Sequence, residues 1–253
     1  VFPEARPWTA LYGGSMVLVD LLWFTPWQRR LRREAATVQE AFDCDVLEMT
    51  WNTLKVGKPV IKEREYAMAR AYDKVAAQYK PINDWYSKDI EGLPIHMARI
   101  ICQRTNCWWD ATMRRRVSKV LLIAVVVLLA ALFITGLILQ LRLDQFVLAV
   151  ILPIMPAIVI CIRHHLDQKE AANRLDELRA HADELWLEAM KGTGPYTLGP
   201  RSRQLQDEIF ESRKKNVPIL DKVFNRLRDK MEAQMNHTAA QLAKEAKQKL
   251  GLG

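Results

Sequence analysis

The sequence predicts an all-α integral membrane protein, and three observations carry that prediction. Two long uncharged apolar runs are joined by a short polar link, basic residues gather at the ends of the apolar segments, and the remaining polar chain has helical periodicity. From Val120 to Leu141 no residue is charged, and after Arg142 to Gln145 a second uncharged run extends from Phe146 to Ile162. A helix rises about 1.5 Å per residue and the hydrocarbon core of a bilayer is roughly 30 Å thick, so about 20 apolar residues span it. The first run is long enough and the second just long enough. Only helices and closed barrels satisfy their backbone polar groups in lipid, and long Leu/Val/Ile/Ala runs without alternation exclude barrel strands.

Taken in order, residues 8–27 form the first expected span, with Trp8, Tyr12, Trp23 and Trp27 placed as interfacial aromatics and Asp20 its one charge. A signal peptide is the competing reading, but the order of basic region, apolar core and small-residue cleavage site is absent. Residues 28–116 read as a helical cytoplasmic region. Ala35, Val38, Phe42, Val46 and Met49 recur at three and four, predicting an amphipathic helix that continues the span outward as far as Val56-Gly57-Lys58-Pro59. A helix over Val60 to Tyr79 is then broken by Lys80 to Asp84. Gly92-Leu93-Pro94 opens another, with Pro94 suited to the first helical turn, which is expected to run unbroken through Arg116 into the membrane.

Residues 117–162 are the transmembrane hairpin and 163–253 a second helical cytoplasmic region. Leu175, Leu178, Ala182, Leu185 and Ala189 form a short seam, read either as an ordinary packed helix face or as an oligomerising coiled coil. Gly192 to Pro200 reads as a loop before helices at Arg201 to Asn216 and Pro218 to Lys249. Arg29, Arg30, Arg32 and Arg33, then Arg114, Arg115, Arg116 and Lys119, then Arg163 and Lys169 place three basic ends in the cytoplasm by the positive-inside rule. The chain opens on Val1 rather than Met, so upstream residues are expected, and one more span there would make four.

Half of the residues are hydrophobic and 26% charged, so the mean hydropathy of -0.11 averages an apolar membrane part with a polar remainder. The net charge of +8 fits cytoplasmic flanks lying on an anionic leaflet, or an anionic ligand. Cys44, Cys102, Cys107 and Cys161 are expected as free thiols.

Asp20 is a costly intrusion into lipid, so it is expected to face a pore, a water cavity or a polar partner, or to make a neutral hydrogen-bonded helix contact. Ser15 and Thr135 suit either arrangement. Cys161, His164 and His165 share a helix turn but fall short of a metal ligand set. No phosphate loop, HExxH, GxSxG or kinase-type set occurs, so no enzyme is expected. Recognition chemistry is densest from Ala98 to Asp110. Arg99 and Arg104 suit phosphates, Gln103 and Asn106 a base edge, and Trp108 or Trp109 a stacking face. The same tryptophans also fit a helix nearing the membrane interface, with Arg and Asp paired internally.

Several segments together resemble the SMODS-associating four-transmembrane family of pore-forming effectors of bacterial anti-phage (CBASS-type) signalling. They are Gln39 to Cys44 with Trp51-Asn52 and Val56-Gly57; Asp84 to Ser87; Leu93-Pro94-Ile95 leading into Ala98 to Asn106, Trp109-Asp110 and Arg114; and Arg203 to Phe210, Arg213 and Val217-Pro218. The residues after Pro218 depart from the pattern in lacking aromatics. The resemblance implies an inner-membrane effector, silent until a cyclic di- or trinucleotide binds, which then oligomerises or opens a pore, with abortive infection as the result. Chemistry and resemblance together nominate Trp51, Asn52, Trp85, Tyr86, Arg99, Arg104, Asn106, Arg203 and Arg213 as ligand contacts. The expected partners are that nucleotide, the lipid bilayer and further copies of the chain, with no cofactor and no DNA or RNA polymer. A channel or transporter gated by another signal, and a non-conducting membrane scaffold, are the rival expectations.

Overall fold

A computed structural model describes residues 6–78, 85–219 and 221–252, and among them all regular structure is helical. In chain order these are α1 (Arg6–Val19), α2 (Thr25–Val46), α3 (Thr53–Val56), α4 (Lys62–Asp73), α5 (Ile95–Ile138), α6 (Leu143–Phe146), α7 (Leu152–Met190), α8 (Pro195–Lys215) and α9 (Asp221–Leu250). π-helical segments at Asp20–Phe24 and Val147–Ile151 join α1 to α2 and α6 to α7. Each lies just ahead of a proline, Pro26 or Pro153. Proline offers no N–H to the carbonyl four residues back, and the wider turn lets the helix continue past it.

The chain divides into two compact units, one gathering the described residues up to Leu31 with Arg114–Glu170, the other Arg32–Met113 with the described residues from Ala171 on. In the first, Ile95–Ile138 and Leu143–Met190 contain segments long and apolar enough to cross a membrane, and only 11% and 6% of their most apolar windows are buried within the chain. Such surface calls for lipid or another apolar partner. The hairpin turns at Gln140, whose φ of +51° is left-handed, while Leu141 N–H reaches Gly136 O and Gln140 N–H reaches Leu137 O, closing the carbonyls of the helix end. A Cβ on Gly136 would lie 2.7 Å from the Phe146 ring, so glycine is what lets the two arms approach.

The first apolar segment lies parallel to α7. A Cβ on Gly13 would sit 3.8 Å from Pro156 Cγ, and two turns on along both helices Asp20 Oδ2 is 3.9 Å from Arg163 Nη1. Asp20 therefore has a cationic neighbour, whereas Ser15 and Thr135 donate to Tyr12 O and Ala131 O of their own helices. His165 Nδ1 lies 2.8 Å from Ser118 O and 2.9 Å from Ser118 Oγ, and Arg114 donates to Gln168 Oε1.

In the second unit the main core packs Met97, Ile100, Ile101, Cys107 and Ala111 of α5 with Leu175, Ala182, Leu185 and Ala189 of α7. Leu198, Leu205 and Ile209 of α8 and Ala239, Ala243 and Ala246 of α9 complete it. The seam read on α7 is thus consumed within the chain. A second cluster joins Trp109 and Met113 to Met231 and Met235, with Trp85, Phe224 and Leu227 against it. Phe224 supplies an aromatic to the corner where the residues just after Pro218 have none.

Several boundaries differ from the expectation. α2 stops at Val46, where Met49 N–H bonds Cys44 O and Glu48 takes a left-handed φ of +51°. Its apolar stripe of Val38, Phe42 and Val46 faces outward, whereas Ala36, Glu40, Asp43, Cys44 and Leu47 are buried. The helix expected over Val60 to Tyr79 is α4 plus a 3-10 turn, Ala76–Gln78. Tyr79, the break at Lys80 to Asp84 and Leu220 lie outside the described residues, as does the Trp8 side chain. α5 begins at Ile95, one residue past Pro94, and runs unbroken through Arg116. The loop expected over Gly192 to Pro200 is only a turn, because Pro195 occupies the first position of α8, where its missing N–H costs nothing.

Candidate functional site

The side chains that α2, α5 and α8 turn toward one another in the second unit form a buried polar network. Glu40 and Asp43, on the inward face of α2, are 0% and 2% exposed. Carboxylates at that depth require charged or hydrogen-bonding partners, and α8 provides them. Arg203 Nη2 donates to Glu40 Oε1 and, at 2.8 Å, to Asp207 Oδ1. Arg213 Nη1 donates to Asp43 Oδ2 at 2.7 Å. Gln206 Nε2 donates to both acids, at 2.9 Å to Glu40 and 2.8 Å to Asp43. Gln103 of α5 extends the network by donating to Gln206 Oε1 and accepting from Ser202 Oγ.

A second arm leads to the aromatic cluster. Tyr86 donates to Asp43 Oδ1 at 2.6 Å, Asn106 Nδ2 donates to Tyr86 Oη at 2.8 Å, and Trp85 Nε1 donates to Asn106 Oδ1 at 3.0 Å. Asn52 ties in α3, capping it by accepting from Leu54 and Lys55 N–H while donating to Asp207 Oδ2 at 2.7 Å. Six of the nominated contacts, Asn52, Trp85, Tyr86, Asn106, Arg203 and Arg213, thus belong to one network. Trp51 borders it, donating to Gly57 O and packing beside Phe210, Ala36 and Val56. Arg99 and Arg104 stand apart: Arg99 closes the end of α2 by donating to Leu47 O and Glu48 O, and Arg104 pairs with Asp183.

The electrostatics follow from burial and pairing. Burial alone lowers the pKa of Arg213, but Asp43 and the other acceptors outweigh it and raise it above the ordinary value. Arg203 is raised against its burial by Glu40 and Asp207. Burial, then Asp43, pushes the Tyr86 hydroxyl well up. Cys44 is pushed up to about 11 by burial and then Glu40, and burial pushes Cys107 up to about 12. These thiols stay protonated and unreactive at neutral pH.

Formally, three carboxylates (Glu40, Asp43, Asp207) face two guanidiniums (Arg203, Arg213). An incoming phosphate therefore meets a net negative site in which both arginines already hold carboxylates. The reading of the residues omitted Glu40, Asp43, Gln206 and Asp207 as site members. A signal existed: Glu40 and Asp43 lie at the i and i+3 positions between Ala36 and Leu47 on one helical stripe, where solvated acids do not belong.

A family model of the SMODS-associating 4TM effector domain matches residues 1–242 of the chain. A probable CBASS effector molecule of Bacillus cereus strain VD146 is 22% identical over 147 residues, covering 57% of this chain and 48% of that protein. The match thus spans about half the length of the curated relative. No solved structure matches the chain.

Proposed function

Since the chain belongs to the SMODS-associating 4TM effector family, we propose that it is a CBASS effector of the bacterial inner membrane. Binding of a cyclic oligonucleotide to its helical cytoplasmic unit makes it oligomerise or open a pore. The first apolar segment and the two arms of the hairpin are the spans of this chain. It acts without turning over a substrate. The observation that carries the reading is that the most apolar windows of its two long helices are left 11% and 6% buried within the chain. Three or four spans enclose little water, so a conducting path needs several protomers around closed symmetry.

The polar network is the proposed switch. A ligand shifts a conformational equilibrium only through contacts that differ between the states, and the pairing of α2 with α8 is such a contact. A ligand phosphate that replaces Glu40 at Arg203, or Asp43 at Arg213, favours the state in which α2 has left α8. The test is dye release from liposomes carrying the full-length protein, with cyclic di- and trinucleotides added singly. Release with one nucleotide supports the reading and names the messenger. If a folded, inserted protein releases dye with none of them, the proposal fails in favour of a channel gated otherwise or a non-conducting scaffold.

A further inference from the structure

Trp109 is 7% exposed, and its Nε1 has no hydrogen-bond partner among the described residues. An arginine can leave one of its several N–H groups idle, but an indole has a single donor. A buried donor left unmet is destabilising and calls for an explanation. A buried water needs two to four polar partners, and the apolar side chains of Met113, Met231, Met235, Trp85 and Phe224 cluster with Trp109.

We propose that this aromatic and methionine cluster is the seat of a nucleobase, with the Trp109 indole N–H donating to a ring nitrogen or carbonyl of that base. The inference rests on the cyclic-oligonucleotide reading above and assigns the base a place in it. Trp85 and Phe224 both meet Trp109 edge to face, with centroids 5.3 Å apart and interplanar angles of 74° and 64°. A base that enters at the indole edge, in line with the N–H it accepts from, replaces one of these edge contacts and leaves its own face free to stack on a neighbouring aromatic ring.

The parts differ in how readily they yield. Trp109 is set within the long helix α5, whereas Trp85 lies outside any helix, in the stretch before the 3-10 turn Lys88–Ile90. Trp85 is therefore the side chain that gives way. Met113, Met231 and Met235 have unbranched, polarizable side chains that refit around an inserted ring. Displacing Trp85 removes its hydrogen bond to Asn106, and Asn106 leads through Tyr86 to Asp43. A base seated here thus loosens the same contact, between α2 and α8, that the phosphates contest.

The test uses the full chain in nanodiscs with 15N-labelled tryptophan, and cyclic di-AMP, cyclic di-GMP, cyclic GMP–AMP and cyclic tri-AMP as probes. Trp109→Phe assigns the indole resonance and removes the donor while keeping a ring. The expected result is that one probe shifts the Trp109 N–H signal and binds Trp109→Phe about tenfold more weakly, the scale of one lost hydrogen bond. Trp85→Leu, at a half-buried position outside the helices, removes the ring that the base displaces together with its hydrogen bond to Asn106, and is expected to tighten binding of the same probe severalfold. Unchanged affinity in either folded variant overturns the proposal. A probe that releases dye from liposomes yet leaves the Trp109 signal unmoved overturns the base site alone. No binding and no release with any probe overturns both the site and the effector reading.

Discussion

The aliphatic core and the aromatic one are built from neighbouring turns of the same helices, α5 and α9, but are finished in different ways. In the first, Leu175, Leu185, Leu205, Ile100 and the alanines of α7 and α9 make up most of the packing, beside Trp186 and Cys107. In the second, Trp109 carries an unmet donor, three methionines fill the gaps, and Trp85 connects by hydrogen bonds to the buried charges of α2 and α8. Alanine lets helices approach closely, and branched side chains with few rotamers define one packing. Methionine and edge-on aromatics tolerate several. The difference teaches where the unit is fixed and where it can change.

The largest effect is expected where the aromatic arm meets the charges. Asp43→Ala leaves Arg213 buried beside an apolar side chain, and breaking a buried pair on one side costs about 3–5 kcal/mol. Chemical denaturation of the detergent-solubilised protein measures it, and a loss below about 1 kcal/mol would mean that α2 is not held through this pair. Leu185→Ala comes next, at about 2–5 kcal/mol, because it opens a cavity in the aliphatic core. Met235→Leu, similar in volume and in the aromatic core, is expected to cost under about 1.5 kcal/mol. If it proved as damaging as Leu185→Ala, the contrast between the cores would collapse.

The smallest effect concerns His96, in the first turn of α5 next to the aliphatic core. Burial, then Arg99, lowers its pKa below the ordinary 6.5. The unfolded chain then binds more protons than the folded one, so stability rises with pH and the deficit develops as pH falls through 6.5. His96→Gln should flatten the change in melting temperature between pH 7.5 and 5.5. An unchanged slope would assign that pH dependence to other groups.

Much of the fold was legible in the chain. The continuity of α5 through Arg116 follows from the absence of proline and glycine between Ile95 and Thr135, and the α7 seam from its alternating steps of three and four. α2 was harder because it carries two stripes. Periodicity favoured Val38, Phe42 and Val46, the more apolar set, yet they are exposed, and the stripe bearing Glu40 and Asp43 is buried. Of the candidate site, Asn106 was legible from residue chemistry along α5, whereas Arg203, Arg213, Asn52 and Tyr86 were nominated by their chemistry together with the family resemblance. That Arg99 serves the end of α2 and Arg104 serves Asp183 was not legible, since spacing along α5 is silent about partners on other helices.

Local order along the chain is sufficient for the helices, the apolar hairpin and the basic ends, because propensity, hydropathy and charge act over a few turns. Which face of α2 turns inward is a different kind of fact. Carboxylates are costly to bury, and they go under here because Arg203, Gln206 and Arg213, more than 150 residues away in sequence, bring compensating charge and donors to them. That energy exists only once α2 and α8 are side by side, so no window of sequence contains it. The unmet N–H of Trp109 has the same origin: an indole is left without an acceptor only by what the other helices place around it.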